Sequence, residues 1–252
     1  MGLYSRDYYR EIDPNPWGFG GAPVVKWVVI VNVVVFVLQI FVTRPPTLTP
    51  DDLKARIEAK DAPPTPEEAV QLFRGLQRTS VVQEWLELDV PKVVYQGQVW
   101  RLLTHAFCHD RMWVLHILFN MILLYWFGRT VEIMYGSREF LLFYLAAALA
   151  AALAYVALDL YTGSPLPAVG ASGAVMGVMM VYTVHFPREE IFYCWFFPMQ
   201  MRWWMALWCV YDLHPVLLAL SGDRLHSGVG HAAHLGGLAF GFLVPALAGY
   251  IS

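Results

Sequence analysis

A small-residue stretch that carries a single serine is the first candidate for chemistry. Residues 167–177 read PAVGASGAVMG, and an apolar run continues from Ser172. Gly170 and Gly173 bring no side chain near Ser172, so another group can approach its hydroxyl. The sharp turn predicted at Gly170 leaves unpaired N–H groups at the helix start, which suit a negative charge and hence acyl transfer. A helix cap with tight glycine packing explains the same residues, and on this stretch alone it is the favoured interpretation.

Two other apolar runs carry polar residues at their starts. His116 and Asn120 are four residues apart, hence on one helical face. His231 and His234 begin the last run. Such groups inside membrane spans are costly and usually mark a function. These residues predict Ser172 as a nucleophile and a histidine as its base, with His116, Asn120 and the Ser172 N–H as oxyanion-hole donors.

The composition indicates a membrane environment. The chain has 252 residues, of which 58% are hydrophobic and 15% charged, whereas soluble domains carry about 25% charged residues. A backbone inside lipid must satisfy its own hydrogen bonds, which predicts an all-α membrane protein. The net charge of −3 gives no indication of a nucleic-acid partner. Cys108, Cys194 and Cys209 are scattered and fit no metal or disulfide motif.

Six apolar runs predict six membrane-spanning helices. They are expected at about 27–42, 112–128, 140–160, 172–186, 192–213 and 231–250. The fourth is short against the roughly 20 residues that cross a bilayer, so its start at Ser172 can lie in a water-filled depression. Residues 1–23 are expected to form a polar tail, and residues 24–252 one membrane domain.

A long polar insertion, residues 43–98, separates the first two runs. The segments 49–52 and 65–68 read TPDD and TPEE, each with a threonine cap, a proline at the first helical position and an acid three residues after the cap. Apolar residues recur at helical spacing from 69 to 88. We expect amphipathic helices on the membrane surface or on the bundle, with a solvated linker as the alternative.

The distribution of Lys and Arg predicts the orientation. The tail and the loops after spans two and four are basic, whereas the loops before spans four and six carry almost no basic residues. The basic positions are Arg6, Arg10, Lys26, Arg129, Arg138, Arg188 and Arg224. The N-terminus is therefore expected inside, with spans two, four and six beginning on the outer side. Ser172, His116 and His234 then lie at a similar depth.

Two small-residue stripes predict how a histidine reaches the serine. Gly173 and Gly177 form one stripe on span four, and Gly237 and Gly241 form another on span six. Such faces can pack closely, which would bring His234 towards the serine.

No carboxylate is expected at the depth of these groups. Asp159 and Asp212 fall near predicted span ends, and Glu132 lies past the inner end of span two. We therefore expect a dyad. Singly, His116 and Asn120 are better explained as bonded to neighbouring backbone, and His231 as interfacial; the coincident depths favour a site.

The chain resembles the rhomboid intramembrane serine proteases from about Val99 onwards. The matching segments are Trp100-Arg101 with residues 104–107 (THAF), residues 116–120 (HILFN), 128–132 (GRTVE) with 135–137 (YGS), 170–173 (GASG), and 233–237 (AHLGG) with Gly241. The resemblance implies a six-helix bundle and a catalytic dyad of Ser172 and His234. His116 and Asn120 would line the oxyanion hole, with Gly170, Gly173 and Gly237 in support.

The resemblance also implies the reaction and its setting. It implies peptide-bond hydrolysis without cofactor or metal, on transmembrane protein substrates with small residues near an unstable outer end. It places the chain in a bilayer, and resemblance to bacterial members predicts the bacterial inner membrane. The insertion would be a loop lying partly in the membrane, longer than in simple relatives. Met176 stands where some relatives carry an aromatic residue, and methionine can still pack on a ring edge.

Two rival functions are compatible with these residues. The first is a catalytically inactive rhomboid-like protein that binds membrane helices for quality control, which would need none of the four polar residues. The second is a transporter or channel, for which an inverted repeat and polar groups along a whole path are expected. The polar groups lie near one face instead, and this favours a closed cavity.

Overall fold

The computed structural model describes residues 21–59, 63–163, 166–193, 197–222 and 230–247. Most of the expected N-terminal tail lies outside these residues, as does Cys194. The helices are α1 Pro23–Phe41, α2 Pro50–Glu58, α3 Pro66–Leu76, α4 Val81–Leu86, α5 Val90–Gln96, α6 Arg101–Thr104, α7 Val114–Tyr135, α8 Ser137–Thr162, α9 Ser172–His185, α10 Met201–Leu220 and α11 His231–Leu247. The strands are β1 Thr43–Arg44, β2 Thr79–Ser80, β3 Glu190–Tyr193 and β4 Phe197–Gln200.

The predicted all-α membrane class is confirmed. Four of the described helices, α1, α7, α8 and α10, are long and apolar enough to cross a bilayer. The other two expected spans are shorter, with 14 residues in α9 and 17 in the described part of α11. The number of six spans therefore stays a prediction, as does the division into a tail and one membrane domain.

The short helix α9 lies at the centre of the bundle. It packs against α7, α8, α10 and α11. Its buried residues are Gly173, Ala174, Val175, Met176, Gly177, Val178, Met179, Val181 and Thr183. A helix that is apolar all round must be enclosed by others, and this fixes Ser172 at the centre of the molecule.

The predicted glycine packing between α9 and α11 is present. A side-chain carbon on Gly177 would lie 3.1 Å from the carbonyl oxygen of Gly237, and one on Gly173 would lie 3.0 Å from that of Ala233. A carbon on Gly237 or Gly241 would overlap the facing glycine carbonyl of α9. The two backbones are in direct contact, so larger residues would force α11 and its histidines away from α9.

A buried carboxylate ties the first helix to the end of α7. Glu132 accepts hydrogen bonds from the Val24 N–H (2.9 Å), the Val25 N–H (2.7 Å) and the Ser137 hydroxyl (2.6 Å). The first N–H groups of a helix have no intrahelical acceptor and carry its positive dipole end. Glu132 satisfies them at α1. It lies in the last turn of α7, not beyond the helix as expected, because α7 continues to Tyr135.

The insertion contains the predicted capped helices. Thr49 and Thr65 each form a capping box at the start of α2 and α3. The expected helical pattern from 69 to 88 is interrupted, because Thr79–Ser80 pairs with Thr43–Arg44 between α3 and α4. The end of the insertion then reaches the bundle, where Leu88 forms a two-hydrogen-bond bridge with Ala168.

The predicted bounds of span five are wrong. The helix runs over Met201–Leu220, and the residues before it form an antiparallel hairpin in which Phe192 pairs with Pro198. A short run rich in aromatic residues fits a strand as well as a helix, so hydropathy alone does not separate them. The shift places Asp212 well inside α10 instead of near its end.

Candidate active site

The loop before α9 holds Ser172 at the helix start. Gly170 has φ +127°, a conformation that side chains other than glycine rarely adopt. The Gly170 N–H donates to the His105 carbonyl at 3.1 Å, and the bridge between Ala168 and Leu88 fixes the chain just before it. Hydrogen bonds to Leu88 and to the His105 carbonyl thus hold the loop at two points. Ser172 becomes the first residue of α9.

Ser172 and His234 are in hydrogen-bond contact. The serine Oγ lies 2.8 Å from His234 Nε2. The glycine contact between α9 and α11 sets this distance, because His234 lies one helical turn before Gly237, the first glycine of α11 that touches α9. The geometry brings together the two residues that the resemblance paired.

A third residue, Asp212 of α10, completes a chain of contacts. Its Oδ1 lies 3.1 Å from His234 Nδ1 and 2.7 Å from His231 Nδ1. A carboxylate only accepts hydrogen bonds, so both Nδ1 atoms donate, which leaves His234 Nε2 to accept the Ser172 proton. The expectation that no carboxylate lies at this depth is therefore wrong: Asp212 is fully buried beside both histidines.

Sequence reasoning missed Asp212 because it misplaced span five. The buried residues of α10 are Met201, Met205 and Asp212. Spacings of four and seven residues put them on one helical stripe. A search for a carboxylate on the stripe marked by these methionines would have found Asp212 without knowledge of the helix end.

His116 lies beside the serine, on the other side of Gly170. A side-chain carbon on Gly170 would lie 2.8 Å from His116 Nε2 and 3.6 Å from Ser172 Oγ. The Asp110 N–H points at His116 Nδ1 at 3.5 Å, the long limit of a hydrogen bond. This arrangement favours the tautomer with its proton on Nε2, facing the space next to the serine.

Asn120 lies one turn below His116 on the same face of α7. Its Nδ2 donates to the His116 carbonyl at 2.8 Å, and its side chain is buried against the same cavity. This hydrogen bond to neighbouring backbone is the purely structural role that the sequence also allows for Asn120. An amide nitrogen has two protons, so the second stays available to a bound group.

These residues line one large cavity. It has a volume of about 1860 Å³ and is bordered by Ser172, His234, His116 and Asn120. Residues of α7, including Trp126, and of α10, including Trp204 and Trp208, form part of its walls. Trp203 points away and is 59% exposed. Met176 is buried and also lines the cavity.

Two buried histidines support the site from the loop that precedes α7. Burial lowers the pKa of His105 to about 4. Burial, with a smaller effect of the neighbouring His116, lowers the pKa of His109 to about 3. Both are neutral at pH 7. The His109 ring packs edge-on against His116 at 5.2 Å between centroids and so helps to orient it.

A thiol nucleophile is disfavoured in this region. Burial, and then the charge of Glu87, raise the pKa of Cys108 to about 12, and the thiolate is the reactive form of cysteine.

Asp212, His231 and His234 have ligand atoms within 4.8 Å of one another, a spacing that a metal ion could use. Those atoms are hydrogen-bonded to each other, and the expectation of a metal-free site stays a prediction.

The fold and the site define a helical membrane protein with a serine, a histidine and a carboxylate in contact inside the bundle. A family model described as the Rhomboid domain matches residues 96–251. The chain belongs to the rhomboid family.

Curated relatives support this assignment. The chain is 41% identical over 87 residues to rhomboid protease GluP of Bacillus subtilis, covering 34% of this chain and 16% of that protein. It is 30% identical over 177 residues to rhomboid protease GlpG of Pectobacterium atrosepticum, covering 70% and 57%. It is 32% identical over 141 residues to the mitochondrial Rhomboid protein 1 of Saccharomyces cerevisiae, covering 55% and 38%. The chain thus spans between 16% and 57% of the length of these relatives.

Proposed function

We propose that this protein is an intramembrane serine endopeptidase with Ser172 as nucleophile and His234 as base. The observation that carries the proposal is the 2.8 Å contact between Ser172 Oγ and His234 Nε2 at the wall of the large cavity inside a membrane bundle. Two of the relatives above are named proteases, and this supports the same chemistry here.

The first half-reaction forms an acyl-enzyme. His234 Nε2 takes the proton from Ser172 Oγ as the oxygen attacks the carbonyl carbon of the scissile peptide bond. The tetrahedral intermediate collapses when His234 gives that proton to the leaving amine nitrogen. Water then attacks the ester with the same histidine as base, which releases the acid product and restores the serine.

The oxyanion of each intermediate needs donors on the side of Gly170. The Ser172 N–H is at the start of α9 and has no intrahelical acceptor. His116 Nε2 and the second Asn120 amide proton complete the proposed set, because both border the same space. Removal of one such donor in other enzymes lowers kcat by about 10² to 10³.

Substrates are proposed to be transmembrane helices that enter from the lipid between α7 and α10. Both helices wall the cavity, and Trp204 packs on Trp208 with centroids 6.1 Å apart in the α10 part of the wall. Small residues near an unwinding helix end would let the peptide reach Ser172. The outer side of the membrane is the proposed face of cleavage, with the N-terminus inside.

Integral membrane location follows from the apolar helices and the family. The bacterial inner membrane is the proposed location, and the relatives include a mitochondrial protein.

The test is labelling with a fluorophosphonate probe, together with cleavage of a transmembrane-helix reporter in proteoliposomes. We expect the wild type to label and cleave, and Ser172→Ala and His234→Ala to abolish both. Ser221→Ala and His214→Ala are matched controls, because they make the same changes at exposed positions, and they should keep wild-type rates.

Three outcomes would redirect the proposal. Loss of labelling in His231→Ala but not in His234→Ala would move the base one turn towards the helix start. A folded wild type that neither labels nor cleaves, but binds the reporter helix, would support the inactive helix-binding alternative. Solute flux across the same liposomes would support a transporter.

A further inference from the structure

The carboxylate of α10 is shared by two imidazoles through one oxygen. Asp212 Oδ1 accepts from His231 Nδ1 at 2.7 Å and from His234 Nδ1 at 3.1 Å. Its Oδ2 is buried and has no hydrogen-bond partner among the residues that the structure describes. The three side chains join α10 to α11 directly behind the serine.

We infer that Asp212 is a positioning residue for the base: it holds His234 in the tautomer and orientation that accept the Ser172 proton, and His231 holds Asp212 in place. The inference rests on the proposed function. It makes the site a chain of serine, histidine and aspartate, where the sequence predicted a dyad.

The direction of the hydrogen bonds supports this role of Asp212. With Asp212 accepting at Nδ1, the lone pair of His234 is on Nε2, 2.8 Å from Ser172 Oγ. Without that acceptor the two ring nitrogens would compete for the proton. A neutral His234 protonated on Nε2 cannot take the serine proton, so a fixed tautomer raises the competent fraction.

The charge of Asp212 supports the same role. When His234 takes the proton from Ser172 it becomes an imidazolium in a buried site. A carboxylate 3.1 Å from the ring stabilises this cation as it forms, and the interaction is stronger there than in water. The stabilisation exists in the transition state and not before it, which is the kind that raises kcat.

The position of Asp212 on its helix also supports this role. The other buried residues of α10 are the methionines Met201 and Met205, so the stripe is otherwise apolar. A buried carboxylate there is costly, and a purely structural one would satisfy both of its oxygens. Asp212 directs one oxygen at the two histidines instead, and this fits a role in orienting the base.

His231 completes the arrangement by binding Asp212 more closely than His234 does. Its ring also packs edge-on against Tyr211, with centroids 5.5 Å apart. Held from one side by His231, the carboxylate has little freedom to turn away from His234. We expect His231 to matter less than Asp212, because its loss removes the support and leaves the acceptor.

The experiment measures kcat and KM for the reporter helix in EDTA-containing proteoliposomes, normalised to the endpoint of fluorophosphonate labelling. Asp212→Asn is expected to lower kcat by at least about tenfold, since an amide can donate to Nδ1 and reverse the tautomer. KM should stay within about threefold, because Asp212 acts through His234 and is not expected to contact the substrate. His231→Ala should lose less kcat than Asp212→Asn.

Glu132→Gln is the control. Glu132 is a buried carboxylate of α7 that is 1% exposed and is not among the residues that line the cavity, and the same acid-to-amide change there should leave kcat unchanged. If Asp212→Asn does not fold, Asp212→Leu with His231→Leu removes the buried pair together, a replacement that membrane-like interiors tolerate better. The double variant should show the same loss of kcat.

The outcomes separate the inference from the proposed function. If Ser172→Ala and His234→Ala are inactive while Asp212→Asn keeps kcat within about threefold, the inference is overturned and the dyad stands. An equal loss of kcat in Glu132→Gln would also overturn it, by pointing to a general effect of buried charge. A wild type that neither labels nor cleaves would overturn the proposed function, and the inference with it.

Discussion

Two buried carboxylates at different places in the bundle serve different purposes. Glu132 at the end of α7 is 1% exposed, and Asp212 in α10 is fully buried. Glu132 uses both oxygens, on two backbone N–H groups of α1 and one serine hydroxyl. Asp212 uses one oxygen, on two histidine rings. A carboxylate that binds fixed backbone donors holds helices together, whereas one that binds imidazoles can respond to proton transfer.

The largest effect is expected when Glu132 is truncated. Glu132→Ala leaves the N–H groups of Val24 and Val25 without their acceptor at the α1 start, which should lower the unfolding free energy by on the order of 3 kcal/mol. Thermal unfolding in detergent measures this change. Glu139→Ala, the same truncation at an exposed position of α8, should have little effect. A melting temperature equal to that of the wild type would mean that Glu132 does not stabilise the contact between α1 and α7.

A buried neutral histidine gives a third kind of polar group. Burial keeps the pKa of His109 near 3 in the folded state, below the unfolded value of about 6.5. The unfolded chain therefore binds the proton first, so stability is complete above pH 6.5 and is lost as the pH falls below it. At pH 5 the loss through His109 is about 2 kcal/mol.

His109→Leu tests that sign. The variant should lose less of its melting temperature between pH 7 and pH 5 than the wild type, because it no longer carries this histidine. His105 has a pKa near 4 for the same reason and should account for part of the remaining loss. His214→Leu, at an exposed position of α10, is the matched control. An unchanged pH dependence in His109→Leu would mean that the ring is solvated in solution.

The matched pair Glu132→Gln and Asp212→Asn compares the two carboxylates directly. Glu132→Gln replaces one accepting oxygen by a donor that faces a backbone N–H, which should lower stability by about 1 to 3 kcal/mol and leave kcat unchanged. Asp212→Asn replaces either Oδ2, which has no described partner, or Oδ1, which faces the two histidine rings. It should lower stability by less than Glu132→Gln does, and it should lower kcat. Equal stability losses with equal kcat would show that the two sites do not differ in kind.

The sequence predicted the parts of the site whose positions depend on local spacing. His116 and Asn120 are four residues apart on one helix, and Gly173 and Gly177 face their partner glycines as their spacing required. The start of α9 at Ser172 followed from a hydroxyl beside glycines. Each of these depends on contacts within one helix or between two small-residue stripes, which a pattern can record.

Asp212 could not be placed in the same way because its depth depends on where α10 starts. The apolar run from 192 contains a hairpin, β3 and β4, before the helix begins at Met201. Hydropathy is high in both, so the pattern joined them and ended the span too early. The pairing of β3 with β4 is what separates strand from helix here, and hydropathy does not record such pairing.

The smallest effect is expected at an exposed carboxylate, Asp52 in the insertion. It accepts hydrogen bonds from the Thr49 hydroxyl (2.7 Å) and the Thr49 N–H (2.8 Å) at the start of α2. These bonds lower the pKa of Asp52. Its contribution to the stability of α2 is therefore present above the usual aspartate pKa and is lost as the pH falls through the lowered pKa.

None of the α2 residues is buried. Asp52→Asn should therefore speed amide hydrogen exchange in α2 by only about a fewfold and leave the melting temperature of the bundle unchanged. Asp51→Asn, the same change one residue earlier, should have the smaller effect on exchange. A lower bundle melting temperature in Asp52→Asn would mean that the insertion is coupled to the membrane helices more tightly than its exposed surface indicates.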